Sequence, residues 1–445
     1  MSITREIAQY IVGTSFKQLP TEVIRQCKRA ILNYLAVSLG ASRHEAVQIL
    51  TDAVFEMGGR PQASIIGSGV KVSALDAAMV NGTMSHLFDF DDTHLATVIH
   101  PTGPVLSAAL PLAEWKGLNG KQLLAGFAVG AEVELRIGTA IFPSHYDVGW
   151  HITGTAGTFG AAAAAGSLLN LGVEQQACAL GLAGTQASGL REMFGTMAKP
   201  LHVGKAASNG LLAALLAAKG FTASQHVLEA KRGFCSVTAA AYDLSKAVDG
   251  LGERYLFLEN GIKPYACGVV THPTIDGIKK LRQRGHIQPS KVREIELRVH
   301  PLVLELTGKR EPRTGLEGKF SIYFCAAIAL IEGNARESQF TDRNVSRSDV
   351  VALMHKVRPV VDPTLGENQA VVTINAQDGR KWQERVEAAT GTPGNPLSDE
   401  ELIDKFMDLV LPILPRDVAE QLIDCVERMD EIDDLSQLMQ LAAAR

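Results

Sequence analysis

Most of the common signatures of cofactor chemistry are missing from this sequence. It has no G-x-G-x-x-G, no phosphate-binding loop, no G-x-S-x-G elbow and no H-E-x-x-H, so dinucleotide, nucleotide, serine-hydrolase and zincin readings have no support. Cysteine is sparse: six residues stand singly at Cys27, Cys178, Cys235, Cys267, Cys325 and Cys425, without a C-x-x-C pair. That excludes a zinc ribbon, a thioredoxin motif and a disulfide scaffold, and leaves reduced, buried thiols as the expectation. Aromatic residues make up only 6%, too few for an aromatic-rich β-sandwich. Neither sign of charge dominates, since 43 Lys+Arg oppose 48 Asp+Glu for a formal −5. No basic field exists to hold nucleic acid or an anionic membrane, and any anion site must be local. Uninterrupted apolar runs of about 18 residues, as a membrane helix requires, are absent because Lys, Asn and Gly break the Ala/Leu segments. Met1 to Tyr10 carries no apolar stretch behind a basic one, so a cytoplasmic protein is expected.

What remains is ordinary globular material of 445 residues, 46% hydrophobic and 20% charged, enough for roughly two or three domains. Up to about Lys246 the periodicity is helical, beginning with Thr21 as an expected N-cap before Val23, Cys27, Ile31 and Leu35. Gly160 to Leu169 and Val203 to Lys219 are rich in Gly, Ala and Ser, residues small enough for helix backbones to approach closely. From about Gly261 the texture changes. Val292 to Val299 alternates apolar and polar, and Val372, Ile374 and Ala376 alternate again into Asp378-Gly379, a hairpin dipeptide with a partner strand through Trp382. Helical stretches near Lys319 to Glu332 and Arg347 to His355 lie between them, and Gly391 to Pro396 reads as a linker. Ser398 with Glu401 then forms a capping-box signature, and helices resume. The fold class expected is mainly α: a helical domain over 1–260, an inserted smaller α+β domain over 261–394 and a helical return over 395–445.

Polar residues concentrate in a few patches. The first holds His86, Asp89, Asp91, Asp92, Thr93, His94, His100 and Pro101, after an expected helix Ser73 to Leu87. Carboxylates at the negative end of a helix need cations nearby, unless the patch is a solvated acidic loop. It does not match calcium-loop spacing. The second holds His145, Tyr146, Asp147, Trp150, His151 and Thr153. A single histidine here reads as a core or capping residue, but two His-carboxylate patches in one domain suit acid–base chemistry, because a neighbouring Asp fixes tautomer and pKa. The third, Lys199 to Lys205 with Pro200 and His202, precedes an expected helix whose amides favour an anion, with Pro200 expected to hold Lys199 extended. Further along lie Lys263-Pro264-Tyr265, His272-Pro273, and Arg313 through Lys319, Ser321 and Tyr323. Singly these basic residues are surface charges; as a set they would line a polyanion pocket.

Taken together, D-F-D-D-T at Asp89 to Thr93 with His100-Pro101, Trp150-His151, K-P-L-H-x-G at Lys199 to Gly204 and K-F-S-I-Y at Lys319 to Tyr323 resemble the MmgE/PrpD family. That family includes 2-methylcitrate dehydratases, cis-aconitate decarboxylases and iminodisuccinate epimerase. The resemblance spans nearly the whole chain. It implies catalytic roles for Asp89, His100, His151 and Lys199, and substrate-binding roles for Thr93, Tyr146, His202, Lys263, His272 and Tyr323. It also implies a homodimer acting on a small polycarboxylate, with no cofactor and no resident metal, and with neither nucleic acid nor membrane as partner. His100, oriented by Asp89, and His151 are the acid–base candidates, with Lys199 and Lys263 stabilising enolate-like charge. The length and motif wording are most similar to the epimerase branch, so the expected reaction is proton abstraction next to a carboxylate, as in iminodisuccinate epimerisation. A lyase of the same family is the alternative, and a non-catalytic polycarboxylate binder a remote one.

Overall fold

The computed structural model describes residues 2–443. They form two compact units, one of residues 2–87, 91–260 and 398–443, the other of 88–90 and 261–397. The fold is mainly α, with one four-stranded sheet confined to the smaller unit. Phe88 to Phe90, which the sequence reading placed in the helical domain, groups with the smaller unit, and the chain returns at Ser398 rather than at 395.

The helical unit is built around helices with no polar face. In Ile152–Leu168 every residue but Ser167 is buried, as expected of a helix enclosed on all sides. It packs against Gly120–Ile141, Thr102–Lys116 and Ala198–Ala218. Small residues set these distances: a Cβ on Gly130 would stand 2.6 Å from the Gly160 carbonyl oxygen, and one on Gly160 2.8 Å from that of Gly130. Ala198–Ala218 is long and apolar enough by composition to cross a membrane, which corrects the exclusion drawn from uninterrupted runs. It is one of the tightly packed inner helices, pressed so closely on Ala74–Leu87 that a Cβ on Gly204 would lie 2.1 Å from the Met79 carbonyl oxygen.

Amphipathic helices cover this core. Thr21–Ala41 is present, but its N-cap is Pro20, so Thr21 is the first helical residue and not the cap. The capping box at the helical return is formed: Ser398 Oγ accepts from the Glu401 amide at 3.1 Å, and the Ser398 amide donates to Glu401 Oε2 at 2.8 Å. The helix it starts, Asp399–Val410, packs on Thr21–Ala41. All six cysteines are free and buried.

In the smaller unit the strands run in the order Val357–Val361, Val292–Val299, Ala370–Ala376, Lys381–Val386, the first pair parallel and the others antiparallel. Ile295 pairs with Ile374 and Leu297 with Val372, so the alternation read in the sequence becomes the buried face. His272–Gly285 packs on that sheet, and a Cβ on Gly277 would stand 2.7 Å from Val372 Cγ2. The Asp378-Gly379 turn forms with Gly379 at φ +88°. Val357–Val361 was not anticipated from the sequence; it carries Pro359 and lies on the sheet edge, where a missing N–H costs no ladder bond.

Candidate active site

The Ala74–Leu87 helix carries His86 in its last turn and stops where Asp89 enters the left-handed region at φ +51°, a conformation Asp tolerates better than most residues. Beyond it the chain is buried from Phe88 to His94. Asp91 turns back to the helix, its Oδ2 2.6 Å from His86 Nδ1 and its Oδ1 3.3 Å from His100 Nδ1. His100 Nδ1 also lies 2.7 Å from the Asp92 carbonyl oxygen and 3.1 Å from Thr93 Oγ1. A carbonyl can only accept, so this geometry assigns the proton to Nδ1 of His100 and leaves Nε2 of the neutral ring as a base. His86 follows the same logic through its carboxylate, and its Nε2 is buried without a hydrogen-bond partner.

The loop before His100 is closed by the His94 amide donating to Ile99 O at 2.8 Å, which forces Val98 to φ +52°. That is a strained conformation for a β-branched residue, and such strain collects at functional sites.

His151 caps Ile152–Leu168, its amide donating to Gly189 O at 2.9 Å. Gly189, at φ +134°, lets the loop pass close to His202; a Cβ there would be 3.1 Å from the ring. His151 and His202 meet Nδ1 to Nδ1 at 3.0 Å, so one ring donates, the other accepts, and the neutral pair holds opposite tautomers. Ring centroids lie 4.6 Å apart for His86 and His100, 5.8 Å for His86 and His151, and 5.3 Å for His151 and His202. Lys199 is buried in the first turn of Ala198–Ala218, its ammonium 5.1 Å from the Phe194 ring, whose edge meets His151. It does not precede that helix in an extended conformation, as read from the sequence, because a proline in a first turn has no helical N–H to lose.

Electrostatically, the surroundings of His151 and His202 are short of negative charge. Burial, then the neighbouring His86, Lys199 and His202, hold His151 well below the usual imidazole range. Burial, His86 and Lys199 bring His202 down to about 4. Asp92, whose Oδ2 accepts from Thr102 and Asn260, is pushed up to about 6 by burial and then by Asp91.

The smaller unit gathers a different set. Lys263 Nζ donates to the Asp89 carbonyl at 3.0 Å and to Asp89 Oδ1 at 2.9 Å. Lys319 Nζ donates to the Phe88 carbonyl at 2.5 Å and pairs with Glu337. His272 heads its helix with Nε2 3.2 Å from the Cys267 carbonyl, its ring edge-on to Tyr265. Tyr323 is buried in the first turn of Ile322–Glu332, with the Arg310 guanidinium 5.6 Å from its ring.

Among the residues singled out from sequence, the helical unit thus brings together Thr93, His100, His151, Lys199 and His202. Tyr146, in the same unit, lies under the Arg191 guanidinium at 3.9 Å. Asp89, Lys263, His272 and Tyr323 belong to the smaller unit. The orienting role assigned to Asp89 has carriers that the reading missed: Asp91, the Asp92 carbonyl and Thr93 at His100, and Asp91 again at His86. Their proximity in one polar patch was the available signal. His145 is structural, with Nε2 on Thr155 Oγ1 at 2.8 Å and Nδ1 on the Thr238 carbonyl at 3.1 Å.

The MmgE/PrpD N-terminal domain model matches residues 5–246 and the C-terminal domain model residues 265–431. Over 468 residues the chain is 27% identical to cis-aconitate decarboxylase of Aspergillus terreus, an alignment covering 99% of this chain and 95% of that protein. The Mus musculus cis-aconitate decarboxylase is 28% identical over 464 residues, covering 99% and 93%, and the Homo sapiens one 28% over 459 residues, covering 99% and 94%.

Proposed function

We propose, for a chain that belongs to the MmgE/PrpD family, a carbon–carbon lyase that removes carbon dioxide from an unsaturated tricarboxylate of the cis-aconitate type without a resident cofactor. The observation that carries this reading is the cluster of His86, His100, His151 and His202 rings beside Lys199, in which desolvation and the neighbouring cationic groups hold His151 and His202 below the usual imidazole range. A polycarboxylate brings negative charge to His151 and His202, whose neighbours are other rings and an ammonium. Once bound, it offsets the repulsion, raises the proton affinity of the rings and so prepares one of them to protonate carbon.

In such a substrate the leaving carboxylate sits on a methylene next to the double bond. The bond from that methylene to the carboxylate breaks and its electron pair forms a new double bond to the central carbon. The former double-bond pair moves to the far carbon, beside another carboxylate, where a histidinium delivers one proton. The charge building on that carboxylate falls to Lys199. One acid and one cation suffice.

Epimerisation asks for two proton-transfer groups on opposite faces of one carbon, which histidines at several positions could also supply. The relatives, named decarboxylases and aligned over nearly the whole chain, favour the lyase over the epimerase expected from motif wording. The deciding experiment is incubation with cis-aconitate, methylcitrate and iminodisuccinate in heavy water, followed by proton NMR. Loss of carbon dioxide from cis-aconitate with one deuterium placed on the product is expected. Exchange without loss of mass would make it an epimerase, loss of water a dehydratase, and no turnover a binding protein.

A further inference from the structure

We propose that Lys319 is a positioning residue which, with Glu337, fixes the segment that carries Asp91. The segment follows the C-terminal end of Ala74–Leu87, where helix carbonyls lack intrahelical partners and the dipole is negative. Two ammonium groups of the smaller unit take two consecutive carbonyls there: Lys319 that of Phe88, and Lys263 that of Asp89 together with its side chain. Lys319 is only 3% exposed and its own carboxylate partner is Glu337, so its reach is restricted and its charge is paired. Burial raises Glu337 and Lys319 lowers it in turn.

Asp91 lies two residues past this clamp, and its carboxylate fixes the tautomer of His86 and faces Nδ1 of His100. The clamp also holds Asp89 at φ +51°, the turn that decides which way the next side chain points. Releasing the Phe88 carbonyl frees that turn. Lys319 therefore acts on the histidines through the backbone of residues 88–91, without touching substrate.

The proposal rests on the lyase reading only where turnover is measured. Amide hydrogen exchange of the full chain, read by mass spectrometry on peptides spanning 84–94 and 315–332, tests it without substrate. Lys319→Met is expected to speed exchange at residues 89–93 by about tenfold or more, and to lower kcat on cis-aconitate by about tenfold with KM within about twofold. Lys319→Arg restores both to within about threefold, since it keeps the donor and the charge. Glu337→Gln, a milder change should Lys319→Met fold poorly, shows about threefold effects in the same directions. Lys309→Met, removing an exposed lysine paired with Glu317, moves neither readout. Unchanged exchange at 89–93, or loosening confined to 315–332, overturns the proposal and leaves Lys319 a structural ion pair of the smaller unit. Failure of all turnover with faster exchange at 89–93 would overturn the lyase reading and keep this one.

Discussion

His151 of the helical unit and Lys263 and Lys319 of the smaller unit are buried to a similar degree, yet their surroundings differ in kind. His151 and His202 face His86 and Lys199, and among the described residues neither ring is bonded to a carboxylate that would offset the cost of a charge, so desolvation and repulsion hold both neutral. Lys263 and Lys319 each have a carboxylate, Asp89 and Glu337, and each also donates to a backbone carbonyl. Burial does not set a charge state alone; the counter-charge within reach does. One set is left in want of an anion, which a substrate can supply. The other is internally satisfied and suited to holding the chain in place.

The sharpest way to break this contrast is to replace His151 or the lysine beside it. His151→Gln and Lys199→Ala are each expected to lower turnover by more than about 100-fold, the low end for acid–base catalysis, with the melting temperature little changed. If melting falls while the folded fraction keeps normal turnover, His151 is a core histidine and the contrast dissolves. Asp91→Asn tests the carboxylate that His86 and His100 share. It keeps the shape but loses the charge that faces both rings and orders the His86 tautomer, and about 10- to 100-fold of kcat should go, with KM changed less.

How far the sequence carried these conclusions depends on whether the signal was local. Alternation in Val292 to Val299 and the Ser398 and Glu401 pair became the strand and the capping box because period and cap chemistry act within a few residues. Pro200 misled for the opposite reason: a helix first turn tolerates proline, and that context is not visible from neighbours. In the site, the histidines and carboxylates were legible as a cluster, but their pairing was not. Asp89, Asp91 and Asp92 follow one another closely, and a single left-handed residue at Asp89 sends Asp91 to the histidines and Asp89 itself to Lys263. His86, in the last helical turn, gave no sign that its partner lay five residues on.

A smaller effect separates functional from structural burial. His145 lies well below its ordinary pKa, at about 4, chiefly through desolvation, although both ring nitrogens are bonded. Between about pH 4 and 6.5 the unfolded chain binds a proton there that the folded one does not, so this group's contribution is complete above about 6.5 and is lost as pH falls toward 4. His145→Gln should cost about 1–3 kcal/mol near pH 7 by unmaking buried hydrogen bonds. The melting gap to the parent should then narrow by about pH 4.5. A constant gap would mean that the ring titrates normally. Dialysis against a chelator is expected to leave activity unchanged, since Asp91 is already shared between His86 and His100; loss restored by one divalent ion would turn that trio into a metal centre.

The smallest effect is expected at His226, and it guards the whole comparison. This histidine is in the helical unit too, but its side chain is 64% exposed, with Nδ1 near Ser2 Oγ at 3.1 Å and Glu229 Oε1 at 3.2 Å. Water solvates its charge, and an exposed pair of this kind contributes about 0–1 kcal/mol. His226→Gln should therefore keep turnover within about twofold and the melting temperature within about two degrees. Measured beside His151→Gln, it replaces the same residue type by the same amide in the same unit, so loss of a histidine as such cannot explain a difference. A large fall in turnover at His226 would mean that histidine replacement disturbs this unit generally, and the effects at His151 would lose their claim to chemistry.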